Sequence, residues 1–375
     1  MTSNRFVRRA TLGVQGLHPY IPGKPVEELE RELGILDSIK LASNENPLGP
    51  SPLGWAAAQQ AAGDLNLYPD DTGHRLRYRL SSEHDVDPAQ IVLGAGSSDV
   101  LDMVARTFLG PGVNAVFAAH SFAMYGIYTQ ASGAESRVAP ALPADHPTQP
   151  FGHDPGALLA AIDSDTRVVF IANPNNPTGT WLSRTELEGF LAQVPPEVVV
   201  VLDEAYTQYV SEPEFPDGMP WLAQYPNLLV TRTFSKIYGL AGLRIGYGVG
   251  NPELVSLVGR VRHPFNVNTI ALAAAEAAMD DGDFVRRSAE VNAAGRVQLG
   301  RGLHALGLRF IPSVANFLCV EFSIPGIDIY EALLREGVIL RPVANYGLPN
   351  HLRITVGTDN ENRVLLDALA RVLGR

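Results

Sequence analysis

The sequence is poor in the features that mark several common classes of protein. A single cysteine, Cys319, excludes an internal disulfide, and its neighbours over 316–322 predict a strand in which it is buried. The sequence contains no run of about 18 apolar residues, so no membrane span is predicted. No apolar segment follows Arg5, Arg8 and Arg9, so we expect no secretory signal, and the predicted compartment is the cytoplasm.

Basic character is also scarce. The chain carries 29 lysines and arginines against 40 acidic residues, a formal net charge of −11, and the basic residues form no stripe. Nucleic acid is therefore not an expected partner. With 375 residues, of which 46% are hydrophobic and 18% charged, the chain is long enough for a large core and two domains.

Short β-branched runs alternate with longer helical stretches, which predicts an α/β fold with a mostly parallel sheet built from βαβ units. Two of the runs are continuously apolar, as in central strands that helices cover on both faces. The predicted strands of this sheet are 115–119, 168–172, 198–202, 227–233 and 244–249.

The C-terminal quarter predicts a second, smaller domain of α+β type. A long helix over 283–306 leads into it, one strand is predicted at 338–341, and the last helix begins at Thr358, where Glu361 completes a capping box. We therefore predict an N-terminal segment over 1–40, a large domain over 41–282 and a small domain over 283–375.

Three short segments and one arginine carry candidate chemistry: 173–179 (NPNNPTG), 203–206 (DEAY), 233–236 (TFSK) and Arg244. A site for pyridoxal phosphate needs a lysine that forms an imine with the aldehyde, a carboxylate that keeps the pyridine nitrogen protonated, and donors to the phenolate oxygen and the phosphate. The candidates, in that order, are Lys236, Asp203, Tyr206 and Arg244. The three segments follow ends of predicted strands, where open α/β sheets bind ligands.

A second anchor for a phosphate is predicted at 94–99 (GAGSSD), directly before a helical run. Free backbone N–H groups and the helix dipole favour an anion there. The competing interpretation is a dinucleotide fingerprint, but Asp99 replaces its third glycine and would repel a pyrophosphate. The lysine of a Walker-type loop is absent as well.

These motifs resemble those of the fold type I, class II aminotransferases, and most closely the histidinol-phosphate aminotransferase family with its aromatic aminotransferase relatives. The resemblance runs from about Gly16 to the C-terminus and includes 41–49, 68–70, 240–244 and 352–357. It implies pyridoxal 5′-phosphate as the cofactor, no metal site, a homodimer, and packing of segment 1–40 with the small domain.

The resemblance also implies roles for individual residues on the cofactor side. Lys236 would be the catalytic base, and Phe122 would stack on the pyridine ring, with Tyr125 as the alternative because a small insertion would exchange the two. Donors to the cofactor's O3′ oxygen would be Asn176 and Tyr206. The phosphate would be held by the backbone of Ser97 and Ser98 and by the side chains of Thr233, Ser235 and Arg244.

On the substrate side the resemblance points to Arg341, Arg353, Tyr20 and Asn176. A guanidinium binds a carboxylate or a phosphate through the same bidentate geometry, so one pocket can accept two substrates. The alternative for Arg341 is a structural ion pair with an acidic residue.

As a further cofactor-binding residue, Tyr68 would reach into the neighbouring subunit's site towards the cofactor phosphate; the alternative is a tyrosine packed in a turn before Pro69. Residues 71–75 (DTGHR) depart from the apolar, glycine-rich stretch of the relatives. This departure bears on the identity of the substrate.

The leading functional hypothesis is ping-pong amino transfer between histidinol phosphate, or imidazole acetol phosphate, and glutamate with 2-oxoglutarate. An aminotransferase for aromatic amino acids is the alternative. A lyase or decarboxylase acting on threonine phosphate is a third possibility. A regulatory domain without catalysis is the fourth, and the intact Lys236 argues against it.

Overall fold

The structure is a computed structural model that describes residues 5–374. The first four residues of the predicted N-terminal segment and the last residue of the predicted small domain lie outside the described residues. The strands are β1 (Ile39–Lys40), β2 (Ile91–Gly94), β3 (Asn114–Ala118), β4 (Glu135–Ala139), β5 (Thr166–Ala172), β6 (Val199–Asp203), β7 (Leu228–Thr233), β8 (Gly246–Gly250), β9 (Arg309–Ile311), β10 (Phe317–Glu321), β11 (Val338–Ile339), β12 (Arg341–Pro342) and β13 (His351–Thr355). The α-helices are α1 (Leu12–Gln15), α2 (Val26–Leu33), α3 (Pro52–Ala61), α4 (His74–His84), α5 (Ser97–Phe108), α6 (Ala123–Ala131), α7 (Pro155–Ala161), α8 (Arg184–Leu191), α9 (Pro252–Gly259), α10 (Thr269–Ala278), α11 (Gly282–Ala305), α12 (Gly326–Arg335) and α13 (Asp359–Val372).

A seven-stranded sheet forms the centre of the larger part of the molecule. Its order is β2-β8-β7-β6-β5-β3-β4, and only β8 runs antiparallel to its neighbours. Helices cover both faces, so β5 and β6 are buried along almost their whole length. The predicted α/β class with a mostly parallel sheet is confirmed.

Side-chain alternation along β6 decides which residues face which core. Val200 and Leu202 pack in one hydrophobic cluster, whereas Val199 and Val201 pack in the cluster on the opposite face. Each buried side chain of this size contributes roughly 1.5–3 kcal/mol. A shift of the register by one residue would exchange the two faces, so this pattern also decides the direction of Asp203 at the strand end.

Three neighbouring strands end along one edge of the sheet. The register pairs Ala172 at the end of β5 with Asp203 at the end of β6, and Asp203 with Thr231 on β7. Parallel pairing therefore brings together segments that are far apart in the sequence.

The C-terminal part is built around an antiparallel sheet of order β12-β13-β10-β9, packed with α11 and α13. The capping box of Thr358 and Glu361 is present at the start of α13. The prediction of one strand over 338–341 is wrong. The chain forms two short strands there, because β11 pairs with β1 whereas β12 pairs with β13.

The N-terminal residues contact both parts of the molecule. β1 pairs in parallel with β11, and Leu29 of α2 is buried with Ile339. In α1, Gly13 lies so close to α6 that an added Cβ would stand 1.9 Å from the backbone oxygen of Gln130. Over the described range, the structure contains no helix with the length and apolar character of a membrane span.

Candidate active site

A cavity of about 290 Å³ lies outside the carboxyl ends of β5, β6 and β7. The structure brings most of the predicted site residues to its wall, and Tyr68 and Arg341 lie elsewhere. The predicted residues that line it are Tyr20, Ser97, Ser98, Phe122, Asn176, Asp203, Tyr206, Thr233, Ser235, Lys236, Arg244 and Arg353.

Lys236 lies three residues beyond the end of β7, and its Nζ donates a hydrogen bond of 3.2 Å to the backbone oxygen of Ser43. The ammonium stands 5.7 Å from the ring centroid of Tyr206. Burial lowers the pKa of Lys236 from 10.5 to about 8, and the positive charges of Arg353 and Arg244 act in the same direction. An amine with this pKa is available as a base and nucleophile near neutral pH.

Asp203 is a buried carboxylate held on both oxygens. Tyr125 Oη donates to Oδ2 at 2.9 Å, and Thr231 Oγ1 donates to Oδ1 at 3.1 Å. Burial raises the pKa of Asp203, while the two hydroxyl groups and the nearby Lys236 oppose that rise. A protonated pyridine nitrogen placed against this carboxylate would favour its charged form further.

Phe122 and Tyr125 occupy different environments, so the structure separates the two candidates for ring stacking. Phe122 precedes α6 and lines the cavity. Tyr125 is wholly buried, and its ring stacks on that of Phe170 at 4.9 Å between centroids. Tyr125 is therefore not at the cavity wall.

The hydroxyl group of Tyr206 accepts two hydrogen bonds from asparagine side chains. Nδ2 of Asn44 donates to it at 2.9 Å and Nδ2 of Asn176 at 3.3 Å. Burial raises the pKa of Tyr206 to about 12, so the phenol keeps its proton and can donate it to a further acceptor. Sequence reasoning missed Asn44, whose only signal was its position in the segment 41–49.

The N-terminus of α5 forms a backbone cradle suited to a phosphate. The helix begins at Ser97, and no side chain caps it, so its first N–H groups lack an intrahelical partner. Two glycines keep the cradle open, because any side chain at their positions would enter it. A Cβ at Gly96 would lie 2.5 Å from Nη2 of Arg244, and one at Gly246 would lie 2.4 Å from the nitrogen of Ser97. The cradle therefore has the donors, the dipole and the space that an anion needs.

Side chains from two further segments complete this end of the cavity. Nη1 of Arg244 donates to Oγ of Ser235 at 3.3 Å, and Thr233 Oγ1 accepts from the backbone of Ser235 at 3.1 Å. The carboxylate of Asp99 accepts from the backbone N–H of Ala95 at 2.9 Å. Asp99 therefore stabilises the loop, and the phosphate end combines backbone donors with one guanidinium.

Arg353 also lines the cavity and is buried. Its Nη1 donates to Oδ1 of Asn176 at 2.6 Å, and its Nη2 donates to the backbone oxygen of Ala42 at 2.6 Å. Nε has no hydrogen-bond partner. The guanidinium is thus held in place, and three of its five N–H groups, one on each nitrogen, remain without a partner in the described residues.

Arg341 and Tyr20 border a second, larger cavity of about 990 Å³, which shares Tyr20 and Phe122 with the first. The guanidinium of Arg341 lies 5.2 Å from the ring centroid of Tyr20. Arg341 is buried, its Nε lacks a partner, and it forms no ion pair within residues 5–374. The alternative of a structural ion pair for Arg341 is therefore wrong.

Tyr68 is 82% exposed and does not line the cavity of its own chain. Its ring stacks on Phe265 with 4.6 Å between centroids. Within the described part of its own chain, Tyr68 therefore packs against one aromatic ring only, and both interpretations of this residue stay predictions.

Residues 71–75, which follow Tyr68, contact the segment between α9 and α10 and α10 itself. Asp71 accepts from both terminal nitrogens of Arg262, at 3.0 and 2.7 Å, and from the backbone of Phe265. The Arg262 guanidinium lowers the pKa of Asp71 to about 2. Arg75 pairs with Glu276. In the single chain, residues 71–75 do not line the candidate site, although Asp71, Thr72 and Gly73 line a separate cavity of about 340 Å³.

Comparisons with known proteins were made with the whole chain. A family described as aminotransferase class I and II matches residues 37–369. Histidinol-phosphate aminotransferase 2 of Pseudomonas fluorescens is 53% identical over 375 residues, which is 100% of both chains. The protein of the same name from Pseudomonas aeruginosa is 54% identical over 370 residues, or 98% of each chain.

Among solved structures, histidinol-phosphate aminotransferase from Sinorhizobium meliloti in complex with pyridoxal-5′-phosphate is similar to this chain with a TM-score of 0.88. The sequence identity is 30%, and the similarity covers 98% of each chain. The likeness therefore includes both the larger and the C-terminal part of the molecule.

Proposed function

Since the chain belongs to the class I and II aminotransferases, we propose that it transfers the amino group of histidinol phosphate to 2-oxoglutarate with pyridoxal 5′-phosphate as the cofactor. The products are imidazole acetol phosphate and glutamate. The observation that carries the proposal is one cavity in which Lys236, Asp203 and Arg353 lie together beside a phosphate cradle. The names and high identity of the full-length relatives support the choice of substrate.

The residues of the cavity fit the cofactor part by part. The cradle at Ser97 and Ser98, with Arg244, would hold the phosphate; Asp203 would pair with the protonated ring nitrogen; and Tyr206 would donate to the phenolate oxygen. When bound, pyridoxal phosphate supplies an electron sink for breaking the bond between the donor's α-carbon and its hydrogen.

Lys236 is the residue that moves the proton. Its Nζ takes the proton from the donor's α-carbon in the first half of the reaction and returns one to the acceptor in the second half. Since the pKa of its free amine is about 8, Lys236 can exist in both protonation states near neutral pH. Residues that are buried around it, such as Tyr206, keep bulk water from competing.

Arg353 provides the means to bind two substrates in turn. The carboxylate of 2-oxoglutarate and the phosphate of histidinol phosphate are both anions that a guanidinium recognises. Hydrogen bonds to Asn176 and Ala42 hold the side chain in place before either substrate arrives. Arg341 and Tyr20 provide a second cationic and aromatic contact at the border of the larger cavity.

We propose further that the active unit is a homodimer in which Tyr68 extends towards the phosphate site of the partner. Tyr68 is largely exposed and does not line the cavity of its own chain, and several apolar side chains on the preceding segment are exposed as well. Those side chains are Leu53, Trp55, Leu65 and Leu67. The proposed compartment is the cytoplasm, because a single buried cysteine suits a reducing environment.

Competition between amino donors tests the choice of substrate. Steady-state assays with histidinol phosphate and with phenylalanine are expected to give a higher kcat/KM for histidinol phosphate. A higher kcat/KM for phenylalanine would contradict the proposal and favour an aminotransferase for aromatic amino acids. An enzyme that releases carbon dioxide from threonine phosphate would indicate a decarboxylase instead.

A further inference from the structure

The carboxylate of Asp203 is held by residues for which the proposed reaction has no direct use. The alternation along β6 turns Asp203 to the same face as Val199 and Val201, where Tyr125 is also buried. The Tyr125 hydroxyl group donates to Oδ2 at 2.9 Å, and the Thr231 hydroxyl group donates to Oδ1 at 3.1 Å. Each oxygen therefore has one protein donor.

Tyr125 is held rigidly. Its side chain has no exposed surface, and its ring lies nearly parallel to that of Phe170, with an interplanar angle of 5°. Phe122, one turn earlier, meets it edge-on at 5.7 Å between centroids. The start of α6 thus delivers one aromatic ring to the cavity wall and one phenol to the carboxylate behind it.

We propose that Tyr125 is a positioning residue for the proposed cofactor: with Thr231, it orients the Asp203 carboxylate so that one of its remaining acceptor sites faces the protonated ring nitrogen. An ionised carboxylate has about four acceptor sites, two on each oxygen. The two hydroxyl groups occupy one site on each oxygen and prevent the carboxylate from rotating. The inference rests on the proposed function, because it concerns the binding of its cofactor.

The electrostatics of the cluster act in the same direction. Burial raises the pKa of Asp203, and the hydrogen bond from Tyr125 is the largest of the opposing effects, followed by those of Thr231 and Lys236. Burial and the charge of Asp203 raise the pKa of Tyr125 well above its ordinary value. Tyr125 therefore keeps its proton and always donates. The other titratable groups that act on this pair are Lys236, Tyr206 and Tyr346.

Removal of the Tyr125 hydroxyl group has a defined consequence. Asp203 then accepts one hydrogen bond fewer and binds a proton more readily. The proton on the ring nitrogen moves to a carboxylate oxygen, which leaves both partners neutral. A neutral ring withdraws electrons less strongly, so kcat falls while the groups that bind the substrate are unchanged.

The test is Tyr125→Phe in the holoenzyme loaded with cofactor that carries ¹⁵N at the ring nitrogen. The phenylalanine retains the stacking on Phe170, and the ¹⁵N resonance is expected to move towards the position of an unprotonated pyridine. We expect kcat to fall about 10- to 100-fold, since a hydrogen bond to a charged group is lost, and KM for the amino donor to change less than about 3-fold. The matched control is Tyr128→Phe on the same helix, because Tyr128 is partly buried and does not bond to Asp203.

The outcomes separate this inference from the proposed function. If the unaltered protein does not bind pyridoxal phosphate, the proposed function fails. If it binds the cofactor and Tyr125→Phe leaves the ¹⁵N resonance and kcat unchanged, only the inference is overturned, even when thermal stability falls. If Tyr125→Phe does not fold, Thr231→Val decides in the same way, because it removes the donor to the other oxygen of Asp203.

Discussion

The cofactor wall and the substrate wall of the cavity are built differently. The cofactor wall, which comprises Asp203, Tyr206 and Lys236, is formed by segments at the ends of adjacent parallel strands. The substrate wall combines Tyr20 from the N-terminal residues with Arg353 from the C-terminal sheet. The first wall depends on the register of one sheet, and the second depends on how separate segments pack together.

This difference predicts how each wall responds to change. Side chains of the cofactor wall are fixed by buried strands, so substitutions there affect chemistry common to every substrate. Tyr20, in contrast, is 40% exposed, and Arg353 is connected to the larger part through Asn176 and Ala42. Changes in the substrate wall should therefore alter the choice of substrate before they abolish the reaction.

The largest effect is expected on the cofactor wall, from Lys236→Ala. Loss of the proposed base should lower turnover by about 10⁴-fold. Borohydride treatment of the unaltered holoenzyme should attach the cofactor to Lys236, which mass spectrometry can identify readily because the chain has only three lysines. Lys40→Arg is the control, since Lys40 does not line the cavity and an arginine keeps the ion pair with Glu45. Full turnover by Lys236→Ala would refute the role of Lys236 as base.

The next effect concerns the reactivity of the same lysine in the cofactor-free protein. Because burial lowers its pKa to about 8, the neutral fraction of Lys236 rises as the pH increases through about 8. The hydrogen bond to Glu28 raises the pKa of Lys24, so reductive alkylation with a small aldehyde at pH 8 should modify Lys236 roughly 100-fold faster than Lys24. Equal rates of labelling by mass spectrometry would contradict the lowered pKa.

The lowered pKa of Lys236 also affects the free energy of unfolding of the cofactor-free protein. The folded pKa of Lys236 lies below its ordinary value of 10.5, so the unfolded chain binds more protons between about pH 8 and 10.5. This residue therefore makes the free energy of unfolding of the cofactor-free protein rise with pH in that window. The contribution is absent in Lys236→Met, so comparison of the two unfolding curves isolates it.

The sequence predicted the cofactor wall better than the substrate wall for physical reasons. Continuous apolar runs identified β5 and β6, and the polar residues that follow such runs must lie at one sheet edge. The contact of Asn44 with Tyr206 spans 162 residues, and that of Tyr125 with Asp203 spans 78. No local pattern encodes such pairs, so the hydrogen-bond partners of the predicted residues emerged only from the structure.

The boundary between β11 and β12 shows a second limit of prediction from the sequence. The run from Val338 onwards is apolar and β-branched, which predicts one strand. The chain instead changes sheets at Leu340, because its two halves pair with β1 and β13. Strand pairing is a property of distant segments, and it places Arg341 beside Arg353 in the register of β12 and β13.

On the substrate wall, Arg353→Lys and Arg341→Lys should differ in magnitude. Arg353→Lys keeps the charge but loses the planar donors that contact Asn176 and Ala42, so kcat/KM for both substrates should fall about 10- to 100-fold. Arg341→Lys loses mainly the contact with Tyr20, and a decrease of about 3- to 10-fold is expected. Equal losses in steady-state assays would show that the two arginines act as one unit.

The smallest effect is expected for Tyr68→Phe, which removes one neutral hydroxyl group. If this group binds the phosphate in the partner's site, the dissociation constant of pyridoxal phosphate should rise about 3-fold. The stacking on Phe265 is retained, so the local structure should not change. Fluorescence titration of the cofactor-free protein measures this constant, and Tyr78→Phe, on an exposed tyrosine of α4, is the control.

Hybrid dimers decide whether Tyr68 acts within its own chain or across the interface. A Lys236→Ala chain combined with a Tyr68→Phe chain forms one site that retains Lys236. If Tyr68 acts across the interface, that site receives an intact tyrosine from its Lys236→Ala partner and binds the cofactor as tightly as the unaltered protein. If Tyr68 acts within its own chain, the same site contains the phenylalanine and stays about 3-fold weaker. Restored affinity would show that the phosphate end of the cavity is completed by another copy of the chain.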